Sequence, residues 1–288
     1  MRKVIVFVLA LILGSTLSAA GETQWSIKTM SFNIRYNNPD DGINAWPNRK
    51  ARVASMIEFH DVDLLGLQEV LKTQLDELAL LLPDYEWVGV GRDDGVNAGE
   101  FAPIFYKPKR FKLVDSGTFW LSEDPQSVGS KSWDAALPRI ASWAVFIDKS
   151  TSKQVFHLNT HFDHRGETAR IESAKLITSL LPGLAAGAPA VVTGDFNKAP
   201  NSEVYSQMTA LLADSKTLSR KPPHGPEGTF GGFTVEVQES SERIDYVFVS
   251  LGIQVLRYAA LSDQWNGYYP SDHLPVFAEI VLPHAAQP

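Results

Sequence analysis

Six short polar clusters interrupt an otherwise apolar chain, and their residue types are those of hydrolytic chemistry. Gly194-Asp195-Phe196-Asn197 follows the apolar run Ala190–Thr193. The glycine permits a sharp turn, and period-two alternation sends Asp195 and Asn197 to one side. A carboxylate beside an amide can hold a metal or an attacking water together with a substrate oxygen; an Asx turn at a strand end is the structural alternative. Ser271-Asp272-His273 opens the last strand, where carboxylate and imidazole face opposite ways. They suit separate roles, such as metal ligand and general base or transition-state donor. In Arg243-Ile244-Asp245-Tyr246, Asp245 lies inside an apolar strand, where an unpaired carboxylate is costly. Its partner is either His273, in a pair that fixes the imidazole tautomer, or Arg243, in a structural ion pair.

The other three clusters also end strands. Gln68-Glu69 closes an apolar run, and Glu69 is either a solvated end or an oxygen ligand for Mg²⁺ or Mn²⁺. Asn159-Thr160-His161-Phe162-Asp163-His164 has a histidine spacing that also occurs in zinc sites. We read His161 instead as a single contact to a phosphoryl oxygen and His164 as lining a substrate pocket. Ser31-Phe32-Asn33-Ile34 sets an amide at the end of the first strand.

The elements that must position these residues alternate between short β-rich runs and amphipathic helices. Strands are predicted at Ile27–Ile34, Val62–Gln68, Glu86–Val90, Ala102–Tyr106, Ala141–Ile147, Gln154–Thr160, Ala190–Thr193, Arg243–Val249, Gln254–Leu261 and Leu274–Val281. Helices are predicted at Arg49–His60, Thr73–Leu82, Glu167–Leu181 and Glu203–Ala213, the second stopped by Pro83 and the last capped by Ser202. Mixed order with many strands gives an α/β sandwich, sheets inside and helices outside. No repeat or long linker divides the chain, so residues 21–288 form a single predicted domain.

Composition narrows the function. The chain has 288 residues, 44% hydrophobic and 20% charged, with no cysteine. That excludes disorder, a disulfide framework, a thiolate nucleophile and cysteine-bound zinc. Arg2 and Lys3, the apolar run Val4–Leu13 and then Ser18-Ala19-Ala20 have the order of a secretory signal peptide cut after Ala20. The mature chain is thus expected in the periplasm or outside the cell, without a membrane segment. Without Arg2 and Lys3, the 26 basic residues fall to 24 against 33 acidic ones, a net charge of −9. Tight nucleic-acid binding is disfavoured, since it needs clustered Lys and Arg. Nothing in the sequence specifies an oligomeric state.

In order, Asn33, Leu67-Gln68-Glu69, Thr160-His161, Gly194-Asp195-Phe196-Asn197, Asp245 and Ser271-Asp272-His273 resemble the endonuclease/exonuclease/phosphatase superfamily. It includes pancreatic-type DNases, inositol polyphosphate 5-phosphatases and neutral sphingomyelinases. Asn44-Ala45-Trp46-Pro47-Asn48-Arg49, Trp133-Asp134-Ala135-Ala136 and His161-Phe162-Asp163-His164-Arg165-Gly166 resemble a bacterial subgroup that a maltose 6′-phosphate phosphatase also resembles. The resemblance implies a four-layer α/β/β/α sandwich with its site in a cleft between sheet edges. It implies Glu69 as main metal ligand, with Asp272 and Asn33, for Mg²⁺ or Mn²⁺. Asp195 would orient or deprotonate water, Asn197 would hold a phosphate oxygen, and His161 and His273, the latter oriented by Asp245, would stabilise phosphoryl charge. Arg139 matches a phosphate contact, and the chemistry is in-line attack of water on phosphorus.

Membership in such a family fixes the bond, not the substrate. Trp265, Tyr268 and Tyr269 precede the last cluster, Trp46 and Trp133 lie in predicted loops, and Phe230-Gly231-Gly232-Phe233 offers an aromatic rim. They suggest an aromatic pocket, with Trp265 binding substrate, for a small sugar- or polyol-containing phosphate monoester or diester. A secreted nuclease or a sphingomyelinase-like phospholipase is the alternative within the family. A glycosidase using two acids, or a binding protein, is the alternative outside it.

Overall fold

The computed structural model describes residues 25–235 and 242–283; the predicted signal segment lies outside them. The first sheet contains β1 (Ile27–Asn33), β2 (Leu64–Gln68), β3 (Glu86–Val88), β4 (Ile104–Tyr106), β11 (Gln254–Ala260) and β12 (Val276–Val281). Its order is β11-β12-β1-β2-β4-β3. The second contains β5 (Phe111–Trp120), β6 (Ile140–Asp148), β7 (Lys153–His161), β8 (Ala190–Asp195), β9 (Leu212–Asp214) and β10 (Asp245–Ser250). Its order is β5-β6-β7-β8-β10-β9. Helices α1 (Trp46–Phe59) and α2 (Lys72–Leu81) belong to the first half, and α3 (Glu167–Ala185), α4 (Glu203–Thr209) and the single turn α5 (Ser215–Leu218) to the second. Among the described residues no helix is long and apolar enough to cross a membrane.

Three apolar layers hold the sandwich together. Met30, Phe32, Leu65 and Leu67 pack against Val53, Ile57, Leu75 and Leu78 of α1 and α2. Phe156, Leu158 and Val192 pack against Ile177 and Leu181 of α3. Between the sheets lie Ile27, Leu64, Val155, Val191, Val247 and Ile280. Because successive strand residues face opposite sides, the inter-sheet face of each strand can be followed toward the site. On β1 it runs Ile27, Thr29, Ser31, Asn33; on β7 it runs Val155, His157, Asn159, His161; on β8 it runs Val191, Thr193, Asp195. The inner layer therefore changes from apolar to polar along its length.

That polar part is bonded across the sheets. Gln68 Nε2 donates to Asn159 Oδ1 at 2.6 Å, and Asn159 Nδ2 donates to the Leu67 carbonyl at 2.7 Å. Thr193 Oγ1 donates to Asn159 Oδ1 at 3.0 Å. Gly66 makes this approach possible, since a Cβ there would stand 2.0 Å from Thr193 Oγ1 and 2.4 Å from Asn159 Oδ1.

Several predicted boundaries move for identifiable reasons. α1 starts at Trp46, before the predicted Arg49, because Pro47 pre-sets the first turn. α3 continues through the exposed Pro182 and closes where Ala186 adopts φ +48° and donates its N–H to the Pro182 carbonyl. The helix predicted to Ala213 ends at Thr209, since Leu212–Asp214 pairs with β10 as an edge strand. β5 was not predicted: it is an edge strand with polar residues and a register shift between Leu113 and Asp115, which hides its alternation.

Candidate active site

The carboxyl ends of β1, β2, β7 and β8 and the start of β10 border one cleft of about 830 Å³. Strand register aligns the residues on its floor. Asp195 lies opposite His161 on one side and Asp245 on the other, while Asn33 lies opposite Gln68. The chain then turns abruptly: Arg35, Glu69 and Asn197 all have positive φ, at 57°, 61° and 51°. Each such non-glycine conformation costs roughly 1–3 kcal/mol and persists only where surroundings enforce it. Here it redirects side chains that a straight strand would send past the cleft.

Asp195 is the hub. Its Oδ2 accepts from Asn33 Nδ2 at 3.0 Å and lies 3.5 Å from His161 Nε2 and 3.8 Å from His273 Nε2. Its Oδ1 accepts from the Asn197 main-chain N–H at 2.9 Å. Burial first, and then the Asp245 charge, push the Asp195 carboxyl up to about 7, opposed by His273 and the Asn33 amide. His273 Nδ1 is 2.9 Å from Asp245 Oδ2. Burial alone would lower His273, but Asp245 and Asp195 hold it well above its ordinary 6.5. The alternative partner for Asp245 is excluded, because Arg243 bonds Asp214 at 2.6 Å instead.

His161 has the opposite character. Burial, with Arg139, Arg92, His273 and His164 adding, holds it well below 6.5, so it is neutral. Asn197 Nδ2 is 3.2 Å from His161 Nε2. Arg139 Nη2 donates to His164 Nδ1 at 3.0 Å, and that bond requires His164 to carry its ring proton on Nε2. His164 also lines the cleft, as do Arg139, Asn197 and Asp272.

Glu69, Asp272 and Glu100 supply the cleft with hard oxygen donors. Burial raises the Asp272 carboxyl, and the nearby Glu69 charge adds to it; burial likewise raises Glu100, with Glu69 again adding. Mutually repelling carboxylates without any thiolate are the donor set that suits Mg²⁺ or Mn²⁺. A second cluster, Asp195, Asp245 and His273, has ligand atoms within 4.8 Å of one another. There the imidazole Nδ1 is committed to Asp245, and Glu69 and Asp272 offer further carboxylate oxygens to the same cleft. Asn33, expected to complete the metal shell, lies between Glu69 and Asp195. Its Oδ1 accepts from the Arg35 N–H at 3.0 Å, and its Nδ2, a donor, faces Glu69 Oε1 and Asp195 Oδ2, each at 3.0 Å. It spaces the two carboxylates.

The aromatic expectation is also corrected. Trp265 does not line the cleft but packs against the core beneath α1 and α2. Trp46 is buried in that same core, and Trp133 lies outside the lining. The aromatic walls are Tyr36 and Phe230, the latter 4.9 Å from the His273 ring. Sequence reasoning missed Arg35, Tyr36, Glu100 and Glu242. Glu100 directly precedes the apolar Phe101, whereas Glu69 follows an apolar run, so the criterion that picked out Glu69 passes Glu100 over.

Two facing mixed sheets with a carboxylate and imidazole cleft at their edge define an α/β sandwich hydrolase. The chain belongs to the endonuclease/exonuclease/phosphatase family, whose model matches residues 30–273. A family protein from Bacteroides vulgatus is 42% identical with a TM-score of 0.86, covering 89% of this chain and 99% of that one. A mannosyl-6-phosphatase from Bacteroides thetaiotaomicron is 38% identical with a TM-score of 0.85, covering 89% and 100%. Human nocturnin is 26% identical over 89% of this chain and 64% of its own length. The protein is a phosphoester hydrolase.

Proposed function

We propose that this chain is a divalent-metal-dependent hydrolase of small sugar- or polyol-containing phosphate esters. The observation that carries the reading is the meeting, in one cleft, of an oxygen-ligand pair, Glu69 and Asp272, with the Asp195 hub. An ion held by Glu69 and Asp272 would supply Lewis-acid polarisation of a phosphoryl oxygen. Asp195, raised toward neutrality, suits a base that takes one proton from the attacking water near physiological pH. Water's oxygen then bonds to phosphorus and the ester P–O bond breaks, the electron pair leaving with the alcohol oxygen, which takes up a proton as Asp195 releases its own. Asn197 Nδ2, which bonds the Phe162 carbonyl and the acceptor Nε2 of neutral His161, would exchange one of these bonds for a phosphoryl oxygen, and the His273 imidazolium, held by Asp245, balances the charge that develops there.

The sugar preference rests on two supports. A family member of high similarity is a mannosyl-6-phosphatase. The cleft also offers Tyr36 and Phe230 as apolar walls, with Glu100 and Glu242 as acceptors for hydroxyl groups. The net charge of −7, or −9 without Arg2 and Lys3, argues against a polyanionic substrate. The reading keeps the protein periplasmic or secreted, on the strength of the N-terminal sequence.

The test is a panel of mannose 6-phosphate, glycerol phosphate, a chromogenic monoester, its matched diester, DNA and RNA, with Mn²⁺ or with chelator. Chelator-sensitive release of alcohol from the sugar or polyol phosphates supports the proposal. Turnover of nucleic acid alone, or hydrolysis indifferent to chelator, contradicts it.

A further inference from the structure

Arg49 is among the largest fully buried side chains in the protein. Its hydrogen bonds, among the described residues, all go to main-chain carbonyls. Nε donates to Asn44 O at 2.8 Å, Nη1 to Ile34 O and to Pro270 O at 3.1 Å, and Nη2 to Arg35 O at 2.7 Å and Tyr36 O at 3.5 Å. The guanidinium also faces two rings, 5.1 Å from Trp46 and 5.6 Å from Phe233. Burial pulls its pKa down to about 10, with Asp272 and Asp41 acting against that, so it is charged at neutral pH.

These contacts reach three separate loops. Ile34–Tyr36 leaves β1 and carries Arg35 and Tyr36 into the cleft. Tyr36 N–H bonds Glu69 Oε2 at 3.1 Å, so the position of this loop is coupled to that carboxylate. Pro270 immediately precedes Ser271 and Asp272, and Ser271 Oγ donates to Asn33 O at 2.7 Å. Phe233 lies in the same loop as Phe230, whose ring packs on His273. One guanidinium, whose five donors spread in a fixed plane, can join carbonyls that lie far apart in sequence. A lysine ammonium cannot span the same set. The strained φ of +57° at Arg35 needs such enforcement, and Gln74 Nε2 adds a second bond to the Arg35 carbonyl at 2.9 Å.

We propose that Arg49 is a positioning residue that ties the Ile34–Tyr36, Pro270–Asp272 and Phe230–Phe233 loops together. It thereby sets where Arg35, Tyr36, Asp272 and Phe230 stand around the substrate. The inference deepens the proposed function and, where it concerns turnover, rests on it. It also accounts for the Asn44–Arg49 motif, because Trp46 and Arg49 lie on the first turn of α1 and Asn44 supplies one of the five carbonyls.

The experiment compares wild type with Arg49→Lys, which keeps the charge, and Arg49→Met, which keeps the stem and removes it. Arg110→Lys is the control, a guanidinium bonded to Asp63 and Asp148 away from the cleft. Amide hydrogen exchange is read at residues 34–38 and 271–273, and kcat and KM are read on a chromogenic monoester. In both Arg49 variants, exchange in the two loops rises at least about tenfold while β7 and β8 stay protected. Displacement of the site by about 1 Å lowers kcat roughly 100-fold. Arg110→Lys changes neither. Wild-type exchange in the loops of either folded Arg49 variant overturns the proposal, as does a kcat loss equal to that of Arg110→Lys. If wild type turns over no ester, the proposed function fails, and loop exchange alone still decides the role of Arg49.

Discussion

Replacing Asp245 with asparagine removes one charge from the centre of the site and little else. The asparagine oxygen can still accept the His273 Nδ1–H, which now lies 2.9 Å from Asp245 Oδ2. Both groups are buried, at 0% and 4% exposure, so solvent cannot replace the lost charge. Breaking a buried ion pair by removing one partner costs about 3–5 kcal/mol, and the retained hydrogen bond favours the lower end. If the imidazolium stabilises the transition state, about 3–4 kcal/mol of that appears in the barrier, two to three decades in kcat. The pH profile must move as well. Asp245 helps hold His273 above 6.5, so its removal lets the imidazolium lose its proton at lower pH and shifts the alkaline limb toward acid. A group raised in the folded state contributes stability that is complete below its unfolded pKa and disappears as pH rises through the folded one. The stability gap between wild type and Asp245→Asn is therefore widest below 6.5 and narrows in alkali. The assay is kcat across the pH range at saturating Mn²⁺, with thermal melts in parallel. A folded Asp245→Asn enzyme within about threefold of wild type at every pH refutes the imidazolium role of His273.

Three further outcomes follow from the geometry. Asp195→Asn abolishes turnover yet stabilises the chelated protein at neutral pH. The raised Asp195 pKa means its ionisation opposes folding as pH climbs from 3.8 to about 7. The gain is about 2–4 kcal/mol, absent near pH 4 in paired melts. Glu69→Gln leaves the fold intact and weakens Mn²⁺ binding at least about tenfold by calorimetry; unchanged affinity would move the ion elsewhere. Gly66→Ala drives a methyl into Thr193 Oγ1, 2.0 Å away, and Asn159 Oδ1, 2.4 Å away. It destabilises by about 3 kcal/mol or more in denaturant melts, and a loss below about 1 kcal/mol would mean the sheets separate freely.

The layered fold was legible because the central strands, buried on both faces, read as near-continuous apolar runs while the helices bury one clear face. Asn33, His161, Asp195 and Asp245 were grouped by the ordered motifs of the family resemblance, and they meet because each stands at the polar end of an inter-sheet face on the same side of the sandwich. Order along the chain could not reveal which way the Asn33 amide points, because Arg35's left-handed backbone decides that. Nor could it separate the two roles open to tryptophan. Trp46 and Trp265 sit near motifs in sequence but fill the apolar layer under α1, where their large rings bury most area. β5 and β9 were hidden because edge strands need no regular apolar face. Arg49 was visible only as part of a motif, since its bonds run to carbonyls as distant as Pro270.

The most direct test of the central claim is a two-by-two measurement of monoester hydrolysis, with Mn²⁺ or chelator, by wild type and by Asp195→Ala. A single metal-dependent site predicts that either change alone abolishes turnover and that both together add nothing further. Hydrolysis that survives both would place the chemistry outside this cleft.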